Sequence, residues 1–516
     1  AAVIDQLASI LDIRVEATPE GGVTVRTSGG ALLVGAEAAQ ISYTPSGASF
    51  ATHGVIQLNA QLGAASNLEP YLVSGELKGL LQARDTDLPA LAEALGGFAG
   101  ALADQLNAVH NENASTPAVS QMKGRQTGLL GTDALNFKGA ASLGVVDSTG
   151  ALAQKLTIDF AAGTITGAAP AATYAFSNSI DSFAAALNSA LAAATPAGSA
   201  TFANGVLSLN VGAGGGLVVQ QDSANPSDRA GRGFSHFFGL NDVIARPAPY
   251  FFEAGVSSTD LLSMASGQQI TFQVTDANGR YSATRTLTIS GALAAPGATM
   301  GDLINALNAP VTGVGEYATF ALDAKGRLTM TPRPGFTPTI TSDSTVRGGT
   351  GVSLSGLFGL TAGATAARAL EINVAPAIAA DPGRLAVGRP DLSAAIGSRV
   401  IEGGDNRGAA ALVAARDKTY TFSAAGALGA QTTTMGLYAS RLGGVAGRLA
   451  NDAANAAVAA NAVSSAAADR RSQVEGVNID DELVRMTAYQ NSYAAAARVI
   501  QAASDMFDIL LTIGAR

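Results

Sequence analysis

The C-terminal sequence GVNIDDELVRMTAYQNSYAAAARVIQAASDMFDILLTIGAR runs from Gly476 to Arg516. Its apolar residues recur at alternating steps of three and four, which places them on one narrow stripe of a helix. This stripe, the terminal seam, consists of Met486, Tyr489, Tyr493, Ala496, Ile500, Ala503, Phe507 and Leu510. So regular a stripe is typical of a helix that packs against another helix. We therefore predict a coiled-coil-type interaction helix over 478–516.

Polar residues mark the start of this helix. Asn478 and Asp480 can accept hydrogen bonds from the first free backbone N–H groups and are candidate caps. Asp481 and Glu482 place negative charge near the positive end of the helix dipole. About thirty residues would make a rod of roughly 45 Å. We expect this rod to pack its apolar edge against a partner or to stay poorly ordered.

Composition places the chain among folded proteins with several domains. Its 516 residues are 47% hydrophobic and 14% charged, with a net charge of −9. That length suits about three or four domains with packed cores, and the acidic balance disfavours nucleic acid and membrane as partners. The absence of cysteine removes disulfides and thiolate chemistry. No signal peptide and no membrane span is recognisable.

The first residues, Ala1 to Leu11, predict the end of an amphipathic helix. Because no capping residue precedes them, we expect the chain to begin within a longer protein. After Ile13, the stretch RVEATPEGGVTVRTSGGALLVG predicts a β-hairpin with its turn at Gly21 and Gly22. The hairpin and helix would open an inner domain.

Two further helices are predicted on either side of the middle of the chain. The first runs from about Asp87 to Asn111. Its own stripe, the inner seam, consists of Leu88, Leu91, Leu95, Phe98, Leu102, Gln105 and Val109. The second is alanine-rich, runs from Thr434 to Val474, and has Gly476 as its natural stop. Its small side chains would suit close helix packing or reflect only a GC-rich genome.

An internal repeat occupies the region between these helices. AAALNSAL (Ala184 to Leu191) resembles DLINALNA (Asp302 to Ala309), and HFFGLND (His236 to Asp242) resembles GLFGLTA (Gly356 to Ala362). Both pairs are offset by about 120 residues, and each copy reads as strand, short helix, strand pair, strand and an aromatic-Gly-Leu closure. We predict two tandem α+β modules.

The predicted fold is therefore multidomain α+β. An elongated helical-bundle inner domain with a β-hairpin region would comprise 1–115 and 364–475, with its long helix over 434–474. Two inserted, internally repeated α+β modules would occupy 140–244 and 245–363. The C-terminal coiled-coil-type helix, 478–516, would complete the chain.

Residues suited to catalysis or metal binding are few. His53, His110 and His236 are far apart in sequence and fit no zinc-binding spacing. We expect His110 to cap the end of its helix and His236 to be a loop side chain. The glycine-rich stretch GAGGGL over 212–217 leads into another strand, which favours a hairpin over a phosphate-binding loop. We predict no catalytic, metal or cofactor site, no cofactor and no enzymatic activity.

Taken together, these features resemble the hook-associated protein 1 family of the bacterial flagellum. The residues that carry the likeness are DQLASILDIRV (Asp5 to Val15), GELKGLLQARD (Gly75 to Asp85), Gly404 to Asn406, and Val474 to Ile513. The last motif is similar across rod, hook and hook-associated proteins. GELKGLL beside a long helix narrows the likeness to hook-associated protein 1. The likeness covers about 1–111 and 364–516 and is weak in the repeated modules.

The resemblance implies a structural, non-enzymatic protein of the hook–filament junction, exported by the flagellar type III route to the extracellular flagellum for motility. Subunits would self-associate in a ring and contact the hook protein and a second junction protein, after delivery by an export chaperone. The modules would project outward. Family members begin with a helix that pairs with the C-terminal one, so the terminal seam is expected to be exposed, swapped or held by neighbours here.

Two alternatives stay open at this point. A secreted surface adhesin or glycan-binding protein would use the repeated modules as its functional part. Exposed aromatic platforms would favour it, but the chain has no tryptophan, and Tyr250, Phe251 and Phe252 lie in an apolar context. Another flagellar axial protein, from the hook or distal rod, would share the terminal motif but not the long helix after GELKGLL.

Overall fold

A computed structural model describes residues 2–19, 21–44, 53–59, 66–277, 281–475 and 478–513. The chain divides into two compact units, Ala1–Val445 (unit one) and Ala446–Arg516 (unit two). Unit one mixes helices and strands, whereas the described part of unit two is helical. The predicted helix stop at Gly476 lies outside the described residues.

The first part of unit one is a short helix, two small antiparallel sheets and a long helix. Its elements are α1 (Ala2–Ile10), β1 (Ile13–Ala17), β2 (Val23–Thr27), β3 (Leu32–Val34), β4 (Gln40–Tyr43), β5 (Ile56–Asn59), β6 (Ser66–Asn67), α2 (Glu76–Gln82) and α3 (Leu88–Asn111). The predicted hairpin is present, because Val15 pairs with Val25 across the β1–β2 ladder. Gly21 has φ of 85° in its turn, a conformation that favours glycine. A π-helical turn, Ala83–Asp87, joins α2 to α3.

The next region carries a five-stranded sheet. Its elements are β7 (Gln121–Lys123), β8 (Ala140–Val146), β9 (Leu152–Asp159), β10 (Thr164–Ala168), β11 (Ala171–Ala175), α4 (Ile180–Ala192), β12 (Gly198–Ala203), β13 (Val206–Val211), β14 (Gly216–Gln221) and α5 (Phe234–Phe238). The large sheet has the order β11-β10-β9-β8-β14, and a smaller one has the order β12-β13-β7. Strand β9 alternates buried positions with more exposed ones along its length, as expected for a sheet with one face on a core. The last four residues of β8, 143–146, are all buried.

The following region has a smaller sheet. Its elements are β15 (Ile244–Ala245), β16 (Gln269–Asp276), β17 (Tyr281–Thr288), α6 (Met300–Leu307), β18 (Ala318–Leu322), β19 (Leu328–Pro332), β20 (Phe336–Asp343) and α7 (Leu354–Phe358). The sheet has the order β17-β16-β20, beside a β18–β19 hairpin. A capping box on Thr299 and Asp302 starts α6.

These two regions have similar strand arrangements. Strand β8 lies between β9 and β14, and β16 lies between β17 and β20. Asn188 Oδ1 accepts a hydrogen bond from the Ala200 N–H at 3.1 Å, and Asn308 Oδ1 accepts one from the Phe320 N–H at 2.8 Å. One continuous cluster of buried residues runs through both regions. The regions therefore share a core, while the repeat and its boundaries remain predictions.

The last part of the chain returns to helices. Its elements are α8 (Ala362–Glu371), β21 (Asn373–Val374), α9 (Pro376–Ala380), α10 (Arg407–Ala415), β22 (Thr419–Phe422), β23 (Gln431–Thr434), α11 (Met435–Glu475) and α12 (Ile479–Ile513). Both long helices are present where the sequence predicts them. Tyr438, near the start of α11, is fully buried and stacks on Phe422 with ring centroids 4.0 Å apart.

The packing of α3 differs from the predicted inner seam. Leu88 and Leu95 are exposed at 61% and 46%, Leu91, Phe98 and Leu102 are half-buried, and only Gln105 and Val109 of the seam are buried. The reason is that another side of α3 carries small residues, and these allow α8 to pack closely against it. A Cβ added to Gly96 would lie 1.9 Å from the Thr365 carbonyl oxygen, so the two backbones touch there.

Within unit one, the start of α11 contacts α3, and Phe98 stacks on Tyr438 with ring centroids 6.0 Å apart. Met435 and Tyr438 join a small buried cluster with Ala101 on α3, but Leu437 is 49% exposed. Helix α3 also lies against α8 and α10, which come from the chain beyond the strand regions.

Candidate assembly interface

Helix α12 begins at a defined cap. Asn478 Oδ1 accepts a hydrogen bond from the Asp480 N–H at 3.0 Å, and the Asn478 carbonyl accepts one from the Glu482 N–H at 3.0 Å. Asp480, the other predicted cap, lies inside the first turn with Asp481 and Glu482. These three carboxylates stabilise the positive end of the helix dipole.

The terminal seam is open to solvent along its whole length. Its large members are exposed by half or more, from 51% at Met486 to 80% at Tyr493. Ile500, Phe507 and Leu510 are each 70% exposed, and Ala496 and Ala503 are exposed as well. A soluble protein rarely leaves so extended an apolar surface uncovered unless another molecule binds there. The helix is therefore the strongest candidate interface in the part of the chain that the structure describes.

The apolar surface of α12 is wider than the narrow stripe predicted from the sequence. Exposed large apolar side chains lie outside the terminal seam, and they are Ile479, Leu483, Val484, Val499, Met506, Ile509, Leu511 and Ile513. Most of them fall in the last four turns. The spacing of these residues in the sequence also indicates an apolar surface, but the prediction covered only the more regular terminal seam.

Unit one contains a buried polar cluster that the sequence did not indicate. Asp104, on α3, is 9% exposed and lies 2.8 Å from Arg232 Nη2 and 2.8 Å from His236 Nε2. The Tyr420 hydroxyl donates to Asp104 Oδ2 at 2.5 Å. Burial alone would raise the pKa of Asp104, but Arg232 and His236 outweigh it and hold that pKa well below its usual range. One carboxylate thus ties α3 to α5 and to β22.

His110 has a structural role different from the predicted helix cap. The side chain is fully buried, its Nε2 accepts a hydrogen bond from the Ala386 N–H at 2.8 Å, and its Nδ1 lies 2.6 Å from the Asn241 carbonyl oxygen. Since Nε2 accepts, Nδ1 must carry the proton and donate. Burial lowers the pKa of His110, so the neutral ring joins α3 to two distant segments.

The remaining candidate sites stay separate. His53 is exposed, and His236 lies on the short helix α5 rather than in the predicted loop. Residues 212–215 connect β13 to β14. These two strands belong to different sheets, so the predicted hairpin is wrong here. Among the described residues, no group of three or more histidine and acidic side chains is arranged to hold a metal ion. Over the same residues, no helix is both long and apolar enough to cross a membrane.

The aromatic triplet does not form the exposed platform that a glycan-binding protein would need. Tyr250, Phe251 and Phe252 are 1%, 7% and 4% exposed. Their rings pack against arginines: the guanidinium of Arg232 lies 3.7 Å from the Phe251 ring centre, and that of Arg368 lies 4.4 Å from the Phe252 ring centre. These contacts stabilise the core of unit one.

Comparison with known proteins gives matches at both ends of the chain. Residues 1–120 match the family model of the flagellar hook-associated protein FlgK helical domain. Residues 472–513 match the model of the flagellar basal body rod FlgEFG protein C-terminal region. No curated protein matches the chain.

Solved structures match the chain as well, and one of them aligns over much of its length. It is the flagellar hook junction protein FlgK from Burkholderia pseudomallei, with 15% sequence identity and a TM-score of 0.27, over 90% of this chain and 76% of that chain. A TM-score this low does not define a common fold, so the identification rests on the family models.

The match over α12 defines the class, a structural protein of the flagellar axis, because the same C-terminal region occurs in rod proteins. The match over 1–120 is more specific, and the two matches together support a FlgK-type, hook-associated protein. The family expected from the sequence is therefore confirmed, and neither model reaches the strand regions between residues 121 and 471.

Proposed function

We propose that this FlgK-type protein is a structural component of the flagellar hook–filament junction and joins the assembly through α12. The observation that carries the proposal is the terminal seam, exposed along a 35-residue helix. The core of unit one, by contrast, is well buried. The family models place a hook-associated helical domain and a rod-type terminal region on one chain. Such a protein acts by binding neighbours, and we infer no catalytic activity.

The seam offers enough energy to drive association. Its six large side chains are exposed by 51% to 80%, and full burial contributes about 1.5 to 3 kcal/mol for each. The total is on the order of 10 kcal/mol before ordering and association costs are subtracted. Assembly can therefore hold α12 in place without a contribution from charge pairs.

The partners follow from this role. Copies of the chain would form a ring, with hook protein on one side and a second junction protein on the other. Before assembly, the exposed apolar face of α12 would cause aggregation, and an export chaperone that covers this face would prevent it. The subunit would leave the cell by the flagellar export route. The strand regions, 140–244 and 245–363, would project outward as two repeated modules.

The experiment introduces one charge into the seam. Ile500→Asp or Phe507→Asp should abolish junction assembly, because a carboxylate cannot be buried against an apolar helix face without a large cost. Gln501→Asp is the matched control, since it adds the same charge at a neighbouring polar position. The purified variants should show the same thermal unfolding of unit one as the parent protein. Cells that attach filaments normally with Ile500→Asp would refute the proposed role of α12.

A further inference from the structure

A cavity of about 600 Å³ lies beside α3 in unit one. Its wall includes parts of α3, α8, the β22–β23 hairpin, the segment 250–253 and the turn between β18 and β19. Sites for small molecules in proteins have volumes of about 300–1,000 Å³, so the space suits a ligand of that size. Its charged lining consists of five basic residues, Arg232, Lys325, Arg327, Arg368 and Lys418, and four acidic residues, Glu93, Asp104, Glu112 and Glu253.

Arg368, on α8, is fixed in the wall of this cavity. A Cβ added to Gly100 would lie 2.6 Å from Arg368 Nη1, so the guanidinium lies directly against the backbone of α3. The guanidinium carbon also lies 4.4 Å from the centre of the Phe252 ring, and Phe252 is 4% exposed. A guanidinium held in this way presents its remaining N–H donors in fixed directions.

Among the described residues, no carboxylate forms an ion pair with Arg368. Its Nη1 donates to the Tyr250 carbonyl at 3.0 Å, and its Nε lies 3.5 Å from the Thr365 carbonyl oxygen. Burial lowers the pKa of Arg368 to about 10, the charge of Arg246 lowers it as well, and Glu253 opposes these effects without cancelling them. The side chain therefore stays charged at neutral pH, and its charge is only partly balanced.

The acidic residues of the cavity are engaged elsewhere. Asp104 is the centre of the polar cluster described above. Glu253 lies 3.6 Å from Arg232 Nη2 and 3.9 Å from Arg327 Nη1, so one carboxylate serves two guanidinium groups at long distances. Glu93 Oε2 accepts a hydrogen bond from a backbone N–H of the β22–β23 turn at 2.9 Å. The positive charge of Arg368 therefore remains for a ligand to balance.

We propose that this cavity binds a small oxyanion, a carboxylate or a phosphate, through Arg368 and Arg327. Their guanidinium carbons lie 4.4 Å and 5.4 Å from the centre of the same Phe252 ring. Guanidinium groups bind carboxylates and phosphates with paired N–H···O bonds. Of the lining residues, Lys325, Lys418 and Glu112 are exposed, and their net positive charge attracts anions to the site.

The bound oxyanion would connect α8 to the turn between β18 and β19. A ligand that binds only the folded chain stabilises that chain, so the anion would make unit one more resistant to unfolding. The inference concerns unit one alone and makes no use of α12. It therefore stands or falls independently of the proposed role in assembly.

Isothermal titration calorimetry of the full chain tests the site, with inorganic phosphate and citrate as probes and sodium chloride at equal ionic strength as the reference. We expect saturable binding of one anion per chain. Arg368→Gln and Arg327→Gln should each weaken it about tenfold or more, because each removes charged hydrogen-bond donors. Arg416→Gln is the matched control, since Arg416 is 80% exposed and does not line the cavity; it should bind like the parent.

The outcomes distinguish the chemistry of the ligand. Binding of both probes supports a general oxyanion site, and binding of phosphate or citrate alone supports the site and identifies the preferred group. A parent protein that gives no saturable heat with either probe would overturn the inference. Equal affinities in the parent, Arg368→Gln and Arg327→Gln would also overturn it, because the anion would then bind elsewhere.

Thermal unfolding provides a second readout. Phosphate also stabilises proteins by its exclusion from their surface, so the parent is compared with Arg327→Gln at the same phosphate concentration. The Arg327 side chain is 26% exposed, and circular dichroism should show that this variant keeps the parent fold. At about ten times the Kd, phosphate should raise the Tm of the parent by about 1–3 °C more than that of the variant. Equal gains in Tm would count against the site.

Discussion

The buried ion pair between Arg347 and Asp133 provides a quantitative test of how unit one is held together. Both side chains are completely buried, and two N–H···O contacts of 2.6 Å join the guanidinium to the carboxylate. Arg347 Nη2 also donates to the Leu261 carbonyl at 2.6 Å. The pair therefore joins the segment between β7 and β8 to the segment that follows β20.

Replacing Arg347 with Met keeps much of the side-chain volume and removes every donor. Loss of one member of a buried pair costs about 3–5 kcal/mol, and the unpaired Leu261 carbonyl adds about 1 kcal/mol. We expect Arg347→Met to lower the free energy of unfolding by about 4–6 kcal/mol. Urea unfolding, followed by tyrosine fluorescence and far-UV circular dichroism, measures this loss.

Two further variants show whether the unpaired buried charge causes this loss of stability. Arg416→Met, at an ion pair with Asp417 whose side chains are 80% and 72% exposed, should change stability by less than about 0.5 kcal/mol. Arg347→Met with Asp133→Leu should recover part of the loss, since no charge is left buried. An Arg347→Met protein within about 1 kcal/mol of the parent would refute the reasoning.

Acid should reduce the damage caused by Arg347→Met. Burial already raises the pKa of Asp133, and Arg347 opposes that rise. Without Arg347 the buried carboxyl takes up a proton more readily, and a neutral carboxyl costs less to bury. The destabilisation should therefore shrink as the pH falls.

Two further predictions concern α3. Gly96→Ala should destabilise unit one by about 1–3 kcal/mol in urea unfolding, because the added Cβ would lie 1.9 Å from the Thr365 carbonyl oxygen. Gly443→Ala on α11 is the control: nothing lies within 4 Å of its added Cβ, and it should stabilise the protein by up to about 1 kcal/mol. Equal effects of the two substitutions would mean that α3 and α8 are not in close contact. The lowered pKa of His110 predicts that the free energy of unfolding falls as the pH drops below about 6.5, because the imidazole binds a proton more readily in the unfolded chain than in the folded one. Thermal unfolding across that range should show a flatter pH dependence for His110→Gln but not for His53→Gln. An unchanged slope in His110→Gln would contradict the role of His110 as a buried neutral ring.

The sequence predicted the elements whose patterns are local. The alanine-rich run without proline became α11, the alternating stretch around Gly21 became a hairpin, and Asn478 caps α12. Each of these depends on residues within a few positions of one another. Propensity, capping and turn chemistry are sufficient there.

The packing of α3 depends on residues far away in the sequence. The side that admits α8 carries Gly96, Ala99 and Gly100, which look neutral in a hydrophobic pattern. Their importance becomes visible only beside Thr365 and Arg368. The leucines Leu88 and Leu95 dominated the pattern but are exposed, so the most regular stripe did not mark the core.

The candidate interface was predicted in position but not in extent. The terminal seam follows from spacing alone, and its exposure agrees with an assembly helix. The wider apolar surface of α12, which includes Val499, Met506 and Ile509, was not predicted. The polar cluster around Asp104 could not be predicted, since His236 and Tyr420 reach it from segments more than 100 residues away.

The central claim is that the terminal seam is an assembly surface, and electron microscopy of flagella tests it most directly. Cells that make only the Ile500→Asp chain should have hooks without attached filaments, whereas cells that make Gln501→Asp should carry filaments like the parent. Both purified proteins should show the same thermal unfolding of unit one. Filaments attached at the parent frequency in Ile500→Asp cells would contradict the account.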